Sequence, residues 1–267
     1  YNMKKSIITN FLRKLRLLYF LDWLRYCIQK IKNYKQNSQF KKQNPSVVLP
    51  PDYLIYESFQ MNYKKYYTDS FETAKWLTNH FSNHIELKNI KILDWGCGPG
   101  RIIRHLPEII EKGRLYGTDY NKNSIKWCSE NLPNISFNTN TLEAKLPYED
   151  NSFDVIYGIS IFTHLSEQMH FDWYIELYRV LKNNGILFLT TQGESFKLKL
   201  TQTEIETFDE GCLVVRGNVK EGHRTYSAFQ PNKFMKELFK NVEILEHIVT
   251  DIGESKIIPQ DIWIVRK

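Results

Sequence analysis

Residues 92 to 102 read ILDWGCGPGRI, a carboxylate two residues ahead of glycines at the alternate positions 96, 98 and 100. Glycines so spaced let the backbone take positive φ and bring a ligand against it. Two phosphate-binding turns are excluded by the spacing. A G-x-G-x-x-G fingerprint would need glycine where Arg101 or Ile103 stands, and a P-loop would need a Gly-Lys-Ser/Thr end. A second carboxylate, Asp119 in LYGTDYN, closes the next apolar run. An acid there can accept both hydroxyls of a ribose, or it can cap the helix that begins near Asn121. The third group is His164 in FTHL, an imidazole titrating near neutral pH and thus a candidate general base. Its alternative role is to order the loop at a helix start.

These groups need a frame to hold them. From Lys91 onward the runs KILDW, RLYGTD, ISFN, FDVIYG and GILFLTT alternate with helical stretches such as NSIKWCSENL and FDWYIELYRVL. That rhythm predicts βαβ units in an α/β fold, a largely parallel sheet with helices on both faces. KNVEILEHIVT and QDIWIVRK add two strands, for a Rossmann-like sheet of seven strands. The chain divides at this level into a basic helical extension and linker over 1–45 and a main domain over 46–267. Within the latter, 46–90 is a helical lid, 91–192 a cofactor core and 193–267 an acceptor-side region.

With those residues in view, the sequence resembles the class I S-adenosylmethionine-dependent methyltransferases. LDWGCGPGR, GTDYN, LPYEDNSFDVIYG and LYRVLKNNGILFLTT carry the likeness over residues 92 to 191. More narrowly, FDVIYGISIFTHLSE followed by TTQGE, FDEGCLVVRG and QDIW is similar to a bacterial subgroup associated with surface-glycan assembly. The resemblance implies S-adenosylmethionine as cofactor. It places Gly96, Cys97 and Gly98 under the methionine part, with Gly100 and Arg101 also among the cofactor contacts and Asp94 fixing the loop, directly or through water, to the methionine ammonium. Asp119 takes the ribose and Tyr120 flanks the adenine. An adenine-contacting acid would fall near Asn140 and Thr141, where this chain has an amide and a hydroxyl instead, backed by the Leu142 backbone. Gly158 and Ile159 line the cofactor at the end of the fourth strand.

The acceptor is less constrained. Enzymes that methylate exocyclic amines of nucleobases carry an Asn/Asp-Pro-Pro-aromatic motif where this chain has Gly158-Ile159-Ser160-Ile161, which argues against a nucleic-acid substrate. Metal-dependent transferases would place carboxylates at this strand end, whereas Asp154 lies at the other, so no metal is expected. Gln192, Glu194, Arg224, Tyr226 and Gln260 are acceptor candidates by position, and Tyr56, Tyr63 and Tyr67 by their place in a lid, where packing is the alternative. His223 and Arg224 favour an anionic small-molecule acceptor.

Composition is that of a globular protein, with 42% hydrophobic and 25% charged residues. Residues 1 to 45 hold 11 Lys or Arg against Asp22 alone, while the remainder carries 25 bases and 29 acids, so the net charge of +6 belongs to the N-terminus. Leu17, Leu21, Leu24, Ile28 and Ile31 form one stripe of a helix expected over about 7–33, before a polar linker. That helix packs on its own catalytic body, lies on a membrane surface or self-associates. No apolar run suits a membrane span and no secretory signal is expected. Four scattered cysteines fit a reduced cytoplasmic protein.

Overall fold

The computed structural model describes residues 18–250 and 258–267. Seven strands form one mostly parallel sheet in the order β3-β2-β1-β4-β5-β9-β8. They are β1 (Lys91–Trp95), β2 (Arg114–Asp119), β3 (Ser136–Thr139), β4 (Phe153–Gly158), β5 (Leu181–Thr191), β8 (Glu243–Ile248) and β9 (Asp261–Arg266). A separate two-stranded ribbon pairs β6 (Val214–Arg216) with β7 (Ser227–Phe229). The seven-stranded α/β expectation holds, and the ribbon is additional to it. The chain clusters into two compact units, one of residues Tyr19–Thr141 and one that includes Leu142–Lys267.

In the first unit β1, β2 and β3 run parallel. β1 is buried from Ile92 to Trp95, as expected of a strand covered on both faces. Helix α1 spans Leu18–Gln43, α2 Asp52–Ser58, α3 Tyr63–Ser82, α4 Leu106–Ile109 and α5 Lys122–Asn131. Asn62 caps α3 by accepting from the Lys65 amide, and Asn121 caps α5 by accepting from the amides of Asn123 and Ser124.

Helix α1 differs from its sequence expectation in length. It continues to Gln43 through the stretch whose composition suggested a linker, while the portion expected before Leu18 lies outside the described residues. The continuation has a physical cause in two buried side chains. Asn37 Oδ1 accepts from the Tyr63 amide at 2.9 Å, and Phe40 packs edge-on against Tyr63 and Tyr67. Tertiary packing has overridden a weak local propensity.

The second unit pairs β4 with β5 in parallel, β5 with β9 and β8 with β9 antiparallel. Its helices are α6 (Glu167–Val180), α7 (Gln202–Asp209) and α8 (Asn232–Leu238). Glu176 receives the Leu146 amide and a bidentate Arg179, fixing the approach to β4. Phe196, Leu200, Phe208, Val214 and Phe229 form a buried cluster that joins α7 to the ribbon.

Candidate active site

The glycine turn in the first unit is built by its own backbone. Gly96, Gly98 and Gly100 have φ of 79°, 53° and 73°, values that L side chains take only under strain. The amides of Gly96 and Cys97 both donate to Thr118 O, at 2.8 and 2.9 Å, and the Gly100 amide donates to Cys97 O at 3.0 Å. The Gly98 amide donates to Asp119 Oδ2 at 2.8 Å. Four amides of the turn are thus engaged within the protein, and what the turn offers a ligand is its glycine surface. That separates it from phosphate-cradling loops, which aim such amides at the anion. A Cβ on Gly100 would lie 2.8 Å from Leu132 Cδ1 and 3.3 Å from Cys128 Sγ, so both side chains would have to shift to admit one.

Asp119 is the brace of this turn. Its other oxygen, Oδ1, accepts from the Asn121 amide at 2.7 Å, and the helix cap falls to Asn121, so the cap alternative for Asp119 is replaced by a tie between two loops. Burial raises its pKa above the usual carboxylate value, opposed by the two amides that favour the charged form. A carboxylate has about four lone-pair positions, which leaves room for ribose hydroxyls beside the two amides.

Other residues read as cofactor contacts are placed as follows. Asp94 is buried near the end of β1. Burial, then the charge of Asp94, pushes the Cys97 thiol well above its ordinary value and the Cys128 thiol up to about 12, so neither is a nucleophile. Arg101 donates to Ser70 Oγ and stacks over the Phe59 ring, which ties the turn to α3 and the segment before it. Tyr66, fully buried, donates to Pro99 O at 2.7 Å and was not expected from sequence to support the turn. Tyr120 is half-buried after β2. Asn140 donates through its backbone to Asp119 O and through its side chain to Thr141 O, while its own Oδ1 is buried without a partner among the described residues. An adenine amino group is the kind of donor that would satisfy it, so these residues fit the expected cofactor. Tyr56 and Tyr63 give their hydroxyls to Asp22 and Asp52, and Tyr67 packs against His105, so all three take part in packing around α1 and α3.

The second unit carries His164 in a one-turn helix, Phe162–His164, after β4. Its Nδ1 lies 2.8 Å from Tyr226 O. A carbonyl only accepts, so Nδ1 holds the proton and Nε2 carries the lone pair. Burial holds its pKa below the ordinary histidine value; His223 and Arg224 add to this and the carbonyl of Tyr226 opposes it. Tyr226 is buried and its phenol is pushed up to about 12, first by burial. Gly158 pairs with Leu189 at the end of β4, and Ile159 is half-buried. Ser160 follows at φ 62°. Its amide donates to Thr190 Oγ1 at 2.8 Å, and both hydroxyls donate to Gln260 Oε1 at 2.7 Å. Gln260 therefore closes a triangle with two residues that sequence reasoning did not single out.

Gln230 was also missed. Its Oε1 accepts from the Gln192 amide, its Nε2 donates to Phe162 O at 3.0 Å, and Nε2 meets His170 Nε2 at 3.1 Å. His170 Nδ1 donates to Ser166 O, and burial lowers its pKa to about 4. Gln230 thus fastens the segment around His164 to the end of β5. Its only sequence signal is an amide in an otherwise apolar SAFQP run. Glu194 pairs with Lys197 at 2.7 Å, and Gln192 and Arg224 are half-buried. No group of residues able to hold a metal ion occurs among the described residues.

Residues 92–185 match a family model described as a methyltransferase domain. Such a domain uses S-adenosylmethionine, in keeping with the fit of the glycine turn, Asp119 and Asn140. An uncharacterized methyltransferase of Schizosaccharomyces pombe is 30% identical over 129 residues, covering 43% of this chain and 45% of the relative. A ubiquinone biosynthesis O-methyltransferase of Pelagibacter ubique is 30% identical over 116 residues, covering 42% and 45%. The chain thus spans less than half the length of these curated relatives. A solved S-adenosylmethionine-dependent methyltransferase from Methanosarcina mazei superposes with a TM-score of 0.54 at 22% identity, covering 70% of this chain and 96% of its own. A Pyrococcus horikoshii protein does so with 0.55 at 18% identity, covering 76% and 95%. Both likenesses concern the fold alone.

Proposed function

We propose that the chain is a metal-independent methyltransferase that transfers the methyl group of S-adenosylmethionine to an oxygen of a small polar acceptor bearing a phosphate or carboxylate. The observation that carries this reading is His164 Nδ1 donating to the Tyr226 carbonyl, which leaves Nε2 as a proton acceptor. The cofactor supplies an electrophilic methyl on a sulfonium, so a hydroxyl acceptor is helped by a base that takes its proton as the carbon–oxygen bond forms. The lowered pKa keeps His164 neutral and ready at pH 7. Asp119 and Asn140 hold the nucleoside part, and the glycine turn with Asp94 the methionine part. Gln192, Glu194, Tyr226 and Gln260 are assigned to the acceptor. His223 and the guanidinium of Arg224, which act on His164, suit an anion. Relatives that include a ubiquinone biosynthesis O-methyltransferase and a malonyl-[acyl-carrier protein] O-methyltransferase support oxygen as the methylated atom.

Within that class we favour a sugar or metabolite of surface-polysaccharide biosynthesis, methylated in the cytoplasm, on the resemblance of residues 153–167 and of the segments after them. A small-molecule N-methyltransferase is the second reading, and a scaffold docked through α1 the third. Incubating the chain with labelled S-adenosylmethionine and panels of phosphorylated, carboxylated and neutral sugars and of amines, with NMR of the product, tests the first. Methyl on oxygen of an anionic acceptor is expected. Methyl on nitrogen selects the second reading, and absence of any cofactor binding selects the third.

A further inference from the structure

The faces of helix α1 are arranged opposite to those of an ordinary surface helix. Its inward side is mostly polar. Asp22 receives the Tyr56 hydroxyl, Asn33 and Gln36 receive the Asn62 amide, and Asn37 receives the Tyr63 backbone. Tyr26 and Phe40 are the aromatic members of that side, packed on Tyr53, Tyr56, Tyr63 and Tyr67. The opposite side holds Phe20, Leu21, Trp23, Leu24, Ile28 and Ile31, all exposed, with Phe20 at 62%, Trp23 at 56% and Ile31 at 78%. The apolar stripe read from sequence is real from Leu21 onward, and it faces away from the protein.

A soluble surface has no reason to keep so many large apolar side chains on one ridge. We propose that this ridge docks on an anionic lipid surface. The charge around it selects the occupant. Arg25, Lys32, Lys35, Lys41 and Lys42 are exposed on the same helix, and its sole acid, Asp22, is turned inward to Tyr56. A second copy would bring like charges together, whereas anionic headgroups complement them. Exposed Trp23, stacked with Phe20 at 6.3 Å, is suited to the headgroup boundary. No helix among the described residues is long and apolar enough to cross a membrane, so the helix lies along the surface rather than through it. The proposal does not rest on the catalytic reading and implies only that the domain works beside a membrane.

The test is cosedimentation of the whole chain with phosphatidylcholine vesicles, and with vesicles of phosphatidylcholine and phosphatidylglycerol. Binding is expected to the second only and to weaken with salt. Replacing Ile28→Ser with Ile31→Ser, or Lys32→Glu with Lys35→Glu, is expected to lower partitioning about tenfold or more. Thermal melting and S-adenosylmethionine binding of both variants should stay as in the parent, since none of these side chains is buried. Should the apolar pair fail to fold, the charge pair carries the test alone. Equal binding to both vesicles, no binding at low salt, unaltered binding by folded variants, or a dimer abolished by the apolar pair would overturn the proposal.

Discussion

The glycine turn of the first unit and the His164 segment of the second are held by different means. In the turn, four amides are anchored to carbonyls or to a carboxylate within about two dozen residues, and glycine conformations do most of the shaping. Around His164, side-chain amides and hydroxyls distant in sequence are the fasteners: Gln230 to Phe162 and His170, Gln260 to Ser160. The first region keeps one shape because its backbone has few alternatives. The second keeps its shape only while several polar side chains are satisfied together, and a network of that kind is costly to leave half-made.

Substitutions can separate the two modes. The largest effect is expected for His164→Gln, which should lower kcat by about two to four orders of magnitude with cofactor affinity unchanged. An unchanged kcat in that variant would return His164 to a loop-ordering role. Next, Asp119→Ala should weaken S-adenosylmethionine binding by about tenfold to a hundredfold, read by calorimetry, because hydrogen bonds to a charged group and the brace on Gly98 are lost together. Equal affinity would defeat the ribose assignment. Gln230→Leu should cost about 1–3 kcal/mol in denaturant unfolding by stranding Phe162 O and His170, and should lower kcat more than it raises the cofactor Kd. If Kd moved most, the two regions would not be separable in this way.

The smallest effect is graded with pH. His170 is fully buried and its folded pKa of about 4 lies below the unfolded value. The unfolded chain therefore binds the extra proton first as pH falls. The stabilising effect of the neutral buried histidine is complete above about pH 6.5 and shrinks between there and about pH 4, by about 1.4 kcal/mol per pH unit at most. Unfolding curves of His170→Gln beside the parent at pH 7 and pH 5 measure it. The gap between them should narrow on acidification.

The same contrast explains what could be read from the sequence. The turn and the strand that ends at Asp119 were legible because glycine spacing, a strand end and an acid lie within one βαβ unit. Long-range fasteners such as Gln230 and Tyr66 have no local pattern and were missed. Tyr56 and Tyr63 were legible as aromatic residues but not by purpose, since their partners Asp22 and Asp52 become neighbours only once α1 and α2 are folded. Periodicity found the α1 helix and its stripe but could not tell which way that stripe faces. Composition placed a linker over residues 33–45, most of which, as far as Gln43, the packing of Asn37 and Phe40 converts to helix.

The two amides that share the Thr118 carbonyl, with that of Gly98 on Asp119, have a consequence for exchange with solvent deuterium. Each has an acceptor within the protein itself, so these protons are expected to exchange slowly with or without added cofactor. The turn then meets its ligand with little ordering left to do, and cofactor binding should change the labelling of Gly96, Cys97 and Gly98 far less than glycine content alone would suggest.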